Sequence, residues 1–173
     1  MPYTTPKTWA SGDVLTAADL NTYVRDNVAF NANPPKCRVF NSAAISAANA
    51  VDVLVTLDSE RFDTDTMHST TTNPERITFT TAGTYLVGAS LAWSDNAAGS
   101  RVIYIRRNGV NRIVQQSTTG TGVANNPIAA STLFYFAAND YVELFAFQNS
   151  GSVLTIAALT ENSPEFWAVR VSA

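Results

Sequence analysis

The residues best suited to chemistry lie in one short stretch, where Asp63 and Asp65 stand two positions apart and His68 follows. Carboxylates at this spacing can chelate Ca²⁺ from a loop, because calcium prefers oxygen ligands. The surrounding stretch 58–73 is rich in serine and threonine and is interpreted as a solvated connection, so Asp63 and Asp65 are only weak metal candidates. His68 is the single histidine and Cys37 the single cysteine, so the two cannot supply a nucleophile, a base and an orienting group. We therefore predict a protein without enzymatic activity and without a cofactor.

The composition describes one folded domain with an unusually uncharged surface. The chain has 173 residues, of which 14% are charged, against roughly 25% in an average soluble domain. Its net charge of −3 offers no basic field for nucleic acid or for an anionic membrane. No stretch approaches the ~18 apolar residues that a membrane-spanning helix needs. We expect a protein that is synthesised in the cytoplasm and binds neither nucleic acid nor membrane.

The chain after Cys37 reads as short strands separated by turns. The stretch 77–89 alternates apolar and polar residues around Ala82 and Gly83, which predicts two paired strands joined by a tight turn. Asn108-Gly109 is a strong hairpin signal. The pattern predicts an all-β fold, an antiparallel jelly-roll sandwich over residues 36–173. About ten strands are predicted, near 38–40, 51–56, 77–80, 84–93, 101–107, 110–116, 129–136, 141–149, 153–159 and 166–171.

A separate segment, residues 1–35, precedes this domain. Residues 2–11 contain two prolines and no apolar period, which predicts an extended arm. Thr16 and Asp19 have the spacing of a capping box, so one short α-helix is predicted from Ala17 to the Asn33-Pro34-Pro35 stop. An isolated helix of this length is marginal in water, so its apolar face must pack either on its own domain or on a larger assembly. The candidate attachment residues are Trp9, Leu15, Leu20, Tyr23, Val24, Asn27 and Val28.

Two loops are candidates for ligand binding. The stretches 95–100 and 117–126 are rich in small and polar residues and are predicted to be exposed. Trp93 directly precedes the first loop and is either a stacking platform for a sugar ring or a core residue beneath the loop. The candidate ligand residues are Trp93, Asp95, Asn96, Thr121 and Asn125.

Two late strands carry apolar side chains on both faces, at 133–136 and 144–147. One face of each strand fills the core, and the other also needs a cover, because a large exposed apolar patch is rare on a soluble monomer. Further copies of the same chain provide that cover through cyclic symmetry. The predicted trimer-interface residues are Tyr135, Phe145, Phe147 and Trp167.

Part of the N-terminal segment resembles a sequence found on many structural proteins of tailed bacteriophages and prophages. The matching residues are 5–9, Gly12, 15–21 and 24–27, with Trp9 and the Asp26-Asn27 pair at the family's spacing. The resemblance implies a location on the virion surface. It also implies that residues 1–35 attach the protein to other phage structural proteins, in the capsid or in the tail.

The rest of the chain resembles the tumour-necrosis-factor-like jelly roll and, within it, the complement globular-head family. The matching positions are Phe62-Asp63, Phe79, 83–85, Asn108-Gly109, 140–144 and Phe166-Trp167. This resemblance implies a trimer. The expectation is therefore a homotrimeric virion surface protein, either a head decoration or fibre or a short tail spike. The alternatives are a receptor-binding tail-fibre tip and a carbohydrate-binding module, each recognising a host surface glycan.

Overall fold

A computed structural model describes residues 3–172. Residues 1, 2 and 173, which the predicted domain bounds include, lie outside the described residues. The described residues before Ala17 form an arm without helix or strand, and a helix, α1, follows over residues 17–32. The capping box is present, because the Thr16 hydroxyl accepts from the backbone N–H of Asp19 at 3.1 Å and the Asp19 carboxylate accepts from the backbone N–H of Thr16. The predicted helix start at Ala17 is confirmed.

Helix α1 contains a wide turn that the sequence did not predict. It consists of Ala17–Asp19 and Asp26–Ala32 in α conformation, with the π-helical stretch Leu20–Arg25 between them. At the end of the wide stretch the N–H of Asp26 donates to the carbonyl of Asn21, five residues back. A turn of this kind rotates the chain less per residue than an α-helix does. It therefore brings side chains spaced four residues apart closer to one line along the helix.

Twelve strands follow within the described residues, in two antiparallel sheets. Each of the ten predicted strands overlaps one of them, and two further strands, at 45–47 and 59–63, were missed. The prediction of a solvated connection over 58–73 is therefore wrong in part. The strands are β1 Lys36–Phe40, β2 Ile45–Ala47, β3 Val53–Leu54, β4 Ser59–Asp63, β5 Arg76–Thr78, β6 Gly83–Trp93, β7 Ser100–Arg107, β8 Asn111–Thr119, β9 Asn126–Phe136, β10 Tyr141–Gln148, β11 Leu154–Ile156 and β12 Glu165–Ser172.

The two sheets pack face to face as a jelly-roll sandwich. The first sheet has the order β2-β11-β6-β12-β1-β4, with β9 also paired to β6. The second has the order β3-β10-β7-β8, with β5 also paired to β10. Apolar side chains from both sheets fill the space between them, including a stack of Phe79 on Phe136 with ring centroids 3.8 Å apart. The predicted fold class is confirmed.

The predicted pairing across Ala82-Gly83 is wrong. Strand β5 pairs with β10 in the second sheet, whereas β6 lies in the first sheet, so the chain crosses between sheets at this point. A period of two shows which residues share a face but does not select the partner strand. Gly83 is required by close packing, because a Cβ there would lie 2.3 Å from Nε of Arg170. The Asn108-Gly109 hairpin is confirmed, with φ of 49° and 70° at its two central residues.

The strand register gives the sandwich two distinct ends. Lys36, which follows the N-terminal segment, pairs with Val169 near the end of β12, and we call this end the base. At the opposite end, which we call the loop end, lie the connections 94–99, 120–125 and 149–153. The N-terminal segment and the candidate ligand loops therefore lie at opposite ends of the molecule.

Candidate functional site

The acidic cluster is already engaged by the chain itself. The carboxylate of Asp63 accepts backbone N–H bonds from Asp65, Met67 and His68, at 3.0, 2.6 and 2.9 Å. Asp65 accepts from the hydroxyl of Thr80 at 2.5 Å. Across residues 3–172, no group of three or more His, Cys, Asp or Glu side chains is placed to hold a metal ion. The arrangement serves to fold the connection between β4 and β5.

Cys37 lies in the core and is expected to be inert as a thiol. Its side chain is buried, and burial, with Asp63 nearby, raises the pKa of the thiol. Because the thiolate is the reactive form, native protein should not react with Ellman's reagent at pH 8, and one thiol per chain should react after denaturation in guanidinium. Rapid labelling of native protein would contradict this placement of β1.

The outer face of the first sheet exposes a broad apolar surface. Tyr85 and Val87 of β6 point into the core, so the alternate residues of β6 and their cross-strand partners point outward. Leu133 and Tyr135 of β9 are 60% and 58% exposed. One row of paired residues joins Leu133, Leu86, Val169 and Lys36, and a second joins Ser131, Gly88, Trp167, Arg38 and Phe62. We call this surface, with Val171, the first-sheet face.

The indole ring of Trp167 lies against Gly88 on this face. A Cβ at Gly88 would stand 2.2 Å from Cζ2 of the indole, so only glycine permits this ring position. Gly88→Ala should therefore displace the ring and destabilise the protein by about 1–3 kcal/mol, as overpacking does. Thermal unfolding and tryptophan fluorescence measure both effects.

The control for this substitution is the pair Gly88→Ala and Trp167→Phe in one chain. The smaller ring of Trp167→Phe leaves room for the methyl group. Gly88→Ala should therefore cost less stability in the Trp167→Phe background than in wild type. Equal losses from Gly88→Ala in both backgrounds would show that the indole does not cover Gly88.

The four predicted interface residues fall on two different surfaces. Tyr135 and Trp167 belong to the first-sheet face, whereas Phe145 and Phe147 point outward from the second sheet. Phe145 stacks on Tyr104 with ring centroids 5.0 Å apart, and the Arg106 guanidinium lies 4.3 Å from the Phe145 ring centre. Burial, followed by the effect of Asp52, raises the pKa of Tyr104 to about 12. A role of Phe145 and Phe147 between subunits stays an untested prediction.

The candidate ligand loops meet at the loop end, and a buried arginine holds one of them. Arg101 is fully buried, and its guanidinium donates to the carbonyls of Asn96, Ala98 and Ser100 at 2.8–3.2 Å. Burial lowers the pKa of this guanidinium. Sequence reasoning missed Arg101, although its alternation with Ile103 places it on the inward face of β7.

The individual ligand candidates have different environments. Trp93 is fully buried in the core, so it is not a sugar platform. Asp95, Thr121 and Asn125 are exposed, and Asn96 is half-buried and donates to Ser152. The loops 94–99 and 120–125 lie against each other, because a Cβ at Gly120 would stand 2.2 Å from the carbonyl oxygen of Asn96.

The arm of the N-terminal segment is bound along helix α1. The side chain of Asn27 donates to the carbonyl of Thr4 at 2.7 Å and accepts from its N–H at 3.0 Å. Trp9 packs edge-on against Tyr23, with ring centroids 6.5 Å apart. Three of the seven predicted attachment residues therefore hold the arm. The other four, Leu15, Leu20, Val24 and Val28, are exposed.

Asn27→Ala should release the arm from the helix. The substitution removes both bonds to Thr4 and one to the carbonyl of Tyr23, each worth about 1 kcal/mol. Trypsin should then cut after Lys7 several-fold faster, while the unfolding temperature of the β domain stays unchanged. Asn21→Ala, at an exposed position of the same helix, is the matched control. Equal cleavage of both variants would contradict the role of Asn27.

Comparison with known proteins defines the fold. No protein-family model matches the chain. Murine APRIL superposes with a TM-score of 0.60 at 10% identity, covering 79% of this chain and 98% of that one. The globular domain of zebrafish complement 1qA protein gives 0.54 at 10% identity, covering 79% and 97%, and Eiger TNF from S. frugiperda gives 0.54 at 8% identity, covering 80% and 92%. The β domain therefore has the jelly-roll fold of tumour necrosis factor and complement C1q globular domains.

A sequence relative comes from a virus. An uncharacterized protein of Acanthamoeba polyphaga mimivirus is 35% identical over 82 residues, which is 44% of this chain and 35% of that protein. The chain thus spans about a third of the length of that relative. Within residues 3–172, no helix has both the length and the apolar character needed to cross a membrane.

Proposed function

We propose that the protein is a homotrimeric, non-enzymatic surface protein of a tailed-phage virion. Its N-terminal segment attaches each subunit to other structural proteins of the particle, and its jelly roll projects outward. The observation that carries the proposal is the exposed first-sheet face. The N-terminal segment lies at the base of the same fold.

The trimer is supported by two complementary features of the first-sheet face. A cyclic trimer joins two different patches of each subunit, rather than one patch to itself. Leu133 and Tyr135 project on β9, at one edge of the sheet. Near the other edge, an open groove of about 420 Å³ is lined by Phe62, Trp167 and Val169, among others.

The chemistry of this groove suits an aromatic side chain from another copy. Lys36 and Arg38 also line it, beside the apolar residues. A cation beside the face of an aromatic ring contributes about 0.5–2 kcal/mol when water is excluded. Tyr135 of a neighbouring copy offers such a ring together with a hydroxyl for the groove's polar groups. Each subunit would then insert one edge into the next and close a ring of three.

The attachment role is supported by the position of the N-terminal segment. It lies at the base, and several of its apolar side chains are exposed. Exposed apolar surface of this kind marks a site of contact with another protein. The resemblance of the segment to tailed-phage structural proteins is the second support for attachment to a particle.

A second candidate role is recognition of a host surface glycan at the loop end. The observation that favours it is the placement of the braced loops 94–99 and 120–125 opposite the attachment segment. Loop 94–99, which Arg101 holds, and loop 120–125, which lies against it, would face away from the particle. Glycan-array binding by the purified protein would support this role, and an array without signal would leave particle decoration as the function.

Sedimentation equilibrium of the full chain tests the trimer. The subunit mass is 18.6 kDa, and the expected species is three times heavier at micromolar concentration. A single species at the subunit mass would overturn the proposal, because the first-sheet face would then be stable in water without a partner.

A further inference from the structure

Helix α1 carries an apolar stripe on a face that the arm does not cover. Leu20, Val24 and Val28 lie four residues apart and are 43%, 48% and 62% exposed. The wide turn at Leu20–Arg25 brings them closer to one line. Tyr23 and Asn27 occupy the adjacent face and hold the arm there. The stripe therefore needs a cover from outside the chain.

The helix is tied to the sandwich close to the first-sheet face. The Arg170 guanidinium lies 4.5 Å from the ring centre of Phe30, and the backbone N–H of Arg170 donates to the carbonyl of Pro35 at 2.8 Å. The next residue, Val171, is exposed on the first-sheet face and lines one cavity together with Asn31 of the helix. Any symmetry that joins three first-sheet faces therefore brings three copies of this helix to the same end of the assembly.

We propose that the stripes of three copies pack against one another and form a three-helix stalk at the base of the trimer. This inference rests on the trimer proposed above. The occupant is a second copy because the helix that carries the stripe adjoins the first-sheet face at its C-terminal end, where Asn31 and Val171 line one cavity. The stripe's three side chains are all uncharged and branched, as in the seams between packed helices.

The stalk gives the two ends of the N-terminal segment different tasks. Helix α1 spans residues 17–32, so the stalk is about 24 Å long at 1.5 Å per residue. Val14 and Leu15 lie just before the start of the helix, at its end away from the sandwich, and both are exposed. These residues would remain free to dock on the particle, whereas Leu20, Val24 and Val28 would be buried between subunits.

Cysteine cross-linking of the full-length protein tests the stalk. Leu20→Cys, Val24→Cys and Val28→Cys are each oxidised with copper phenanthroline, and Thr22→Cys, on another face of the helix, is the matched control. Cys37 is buried and should not contribute. A disulfide needs Cα atoms within about 7 Å, which facing positions of packed helices can reach. We expect disulfide-linked dimers from at least one stripe position and none from Thr22→Cys.

A second variant guards against an unsuitable disulfide geometry. Val24→Asp should lower the unfolding temperature of the trimer by roughly 5 °C or more, whereas Thr22→Asp should leave it nearly unchanged. If the wild type is a trimer, but no stripe cysteine forms cross-links and Val24→Asp leaves the unfolding temperature unchanged, the stalk is overturned and the trimer stands. The stripe would then be assigned to a contact with a different particle protein. A monomeric wild type would overturn the trimer and the stalk together.

Discussion

Replacing Leu133 and Tyr135 together by aspartate should convert the trimer into folded monomers. Both side chains project from β9 on the first-sheet face and are more than half exposed in the single chain. The substitutions therefore cost the isolated subunit little. In the trimer they would place two carboxylates in an apolar contact, and an unpaired buried charge costs about 3–5 kcal/mol. Because a cyclic trimer repeats the contact at every interface, the penalty applies three times and should shift micromolar protein to the subunit mass.

The control for this variant is a second double substitution at exposed apolar residues away from the face. Val110, at the tip of the β7–β8 hairpin, and Val123, in the loop before β9, are 76% and 65% exposed. Val110→Asp with Val123→Asp adds the same charge and should leave the trimer intact. Far-ultraviolet circular dichroism shows whether each variant is folded. A Leu133→Asp/Tyr135→Asp protein that still sediments as a trimer would move the interface elsewhere.

The sequence pattern predicts strands well because each core strand has to alternate. All ten predicted strands overlap observed ones, including β6, β7 and β9. The two missed strands lack a clear signal, since β2 is only Ile45-Ser46-Ala47 and β4 alternates half-buried and exposed residues around Arg61. Local alternation also cannot select a partner, which is why β5 was paired with β6 instead of β10.

The sequence predicted the roles of residues that act on their neighbours in the chain, and it did not predict the roles of residues that contact distant parts of the chain. The capping box at Thr16 and the positive φ at Asn108-Gly109 depend on neighbouring residues and were correct. Asn27, by contrast, holds a backbone 23 positions away, and Trp167 depends on Gly88 in another strand. Such roles depend on tertiary contacts between residues that are far apart in the chain.

Deleting residues 1–35 should leave a trimer that no longer joins virus particles. The first-sheet face lies wholly in the jelly roll, so its contacts survive the deletion, although loss of the stalk should lower the unfolding temperature. Complementation of a particle assembly lacking the protein, followed by purification and immunoblotting, measures incorporation. Recovery of the truncated protein on particles at the wild-type level would show that attachment lies elsewhere.

A narrower variant separates attachment from assembly. Val14→Ser with Leu15→Ser removes two exposed apolar side chains just before the helix while keeping the capping box and the stripe. If these residues dock on the particle, the variant should match wild type in trimer mass and in unfolding temperature, yet be lost from particles. Trimer loss in this variant would instead place Val14 and Leu15 between subunits. This double variant therefore shows whether Val14 and Leu15 hold the three copies to one another or attach the trimer to the virion.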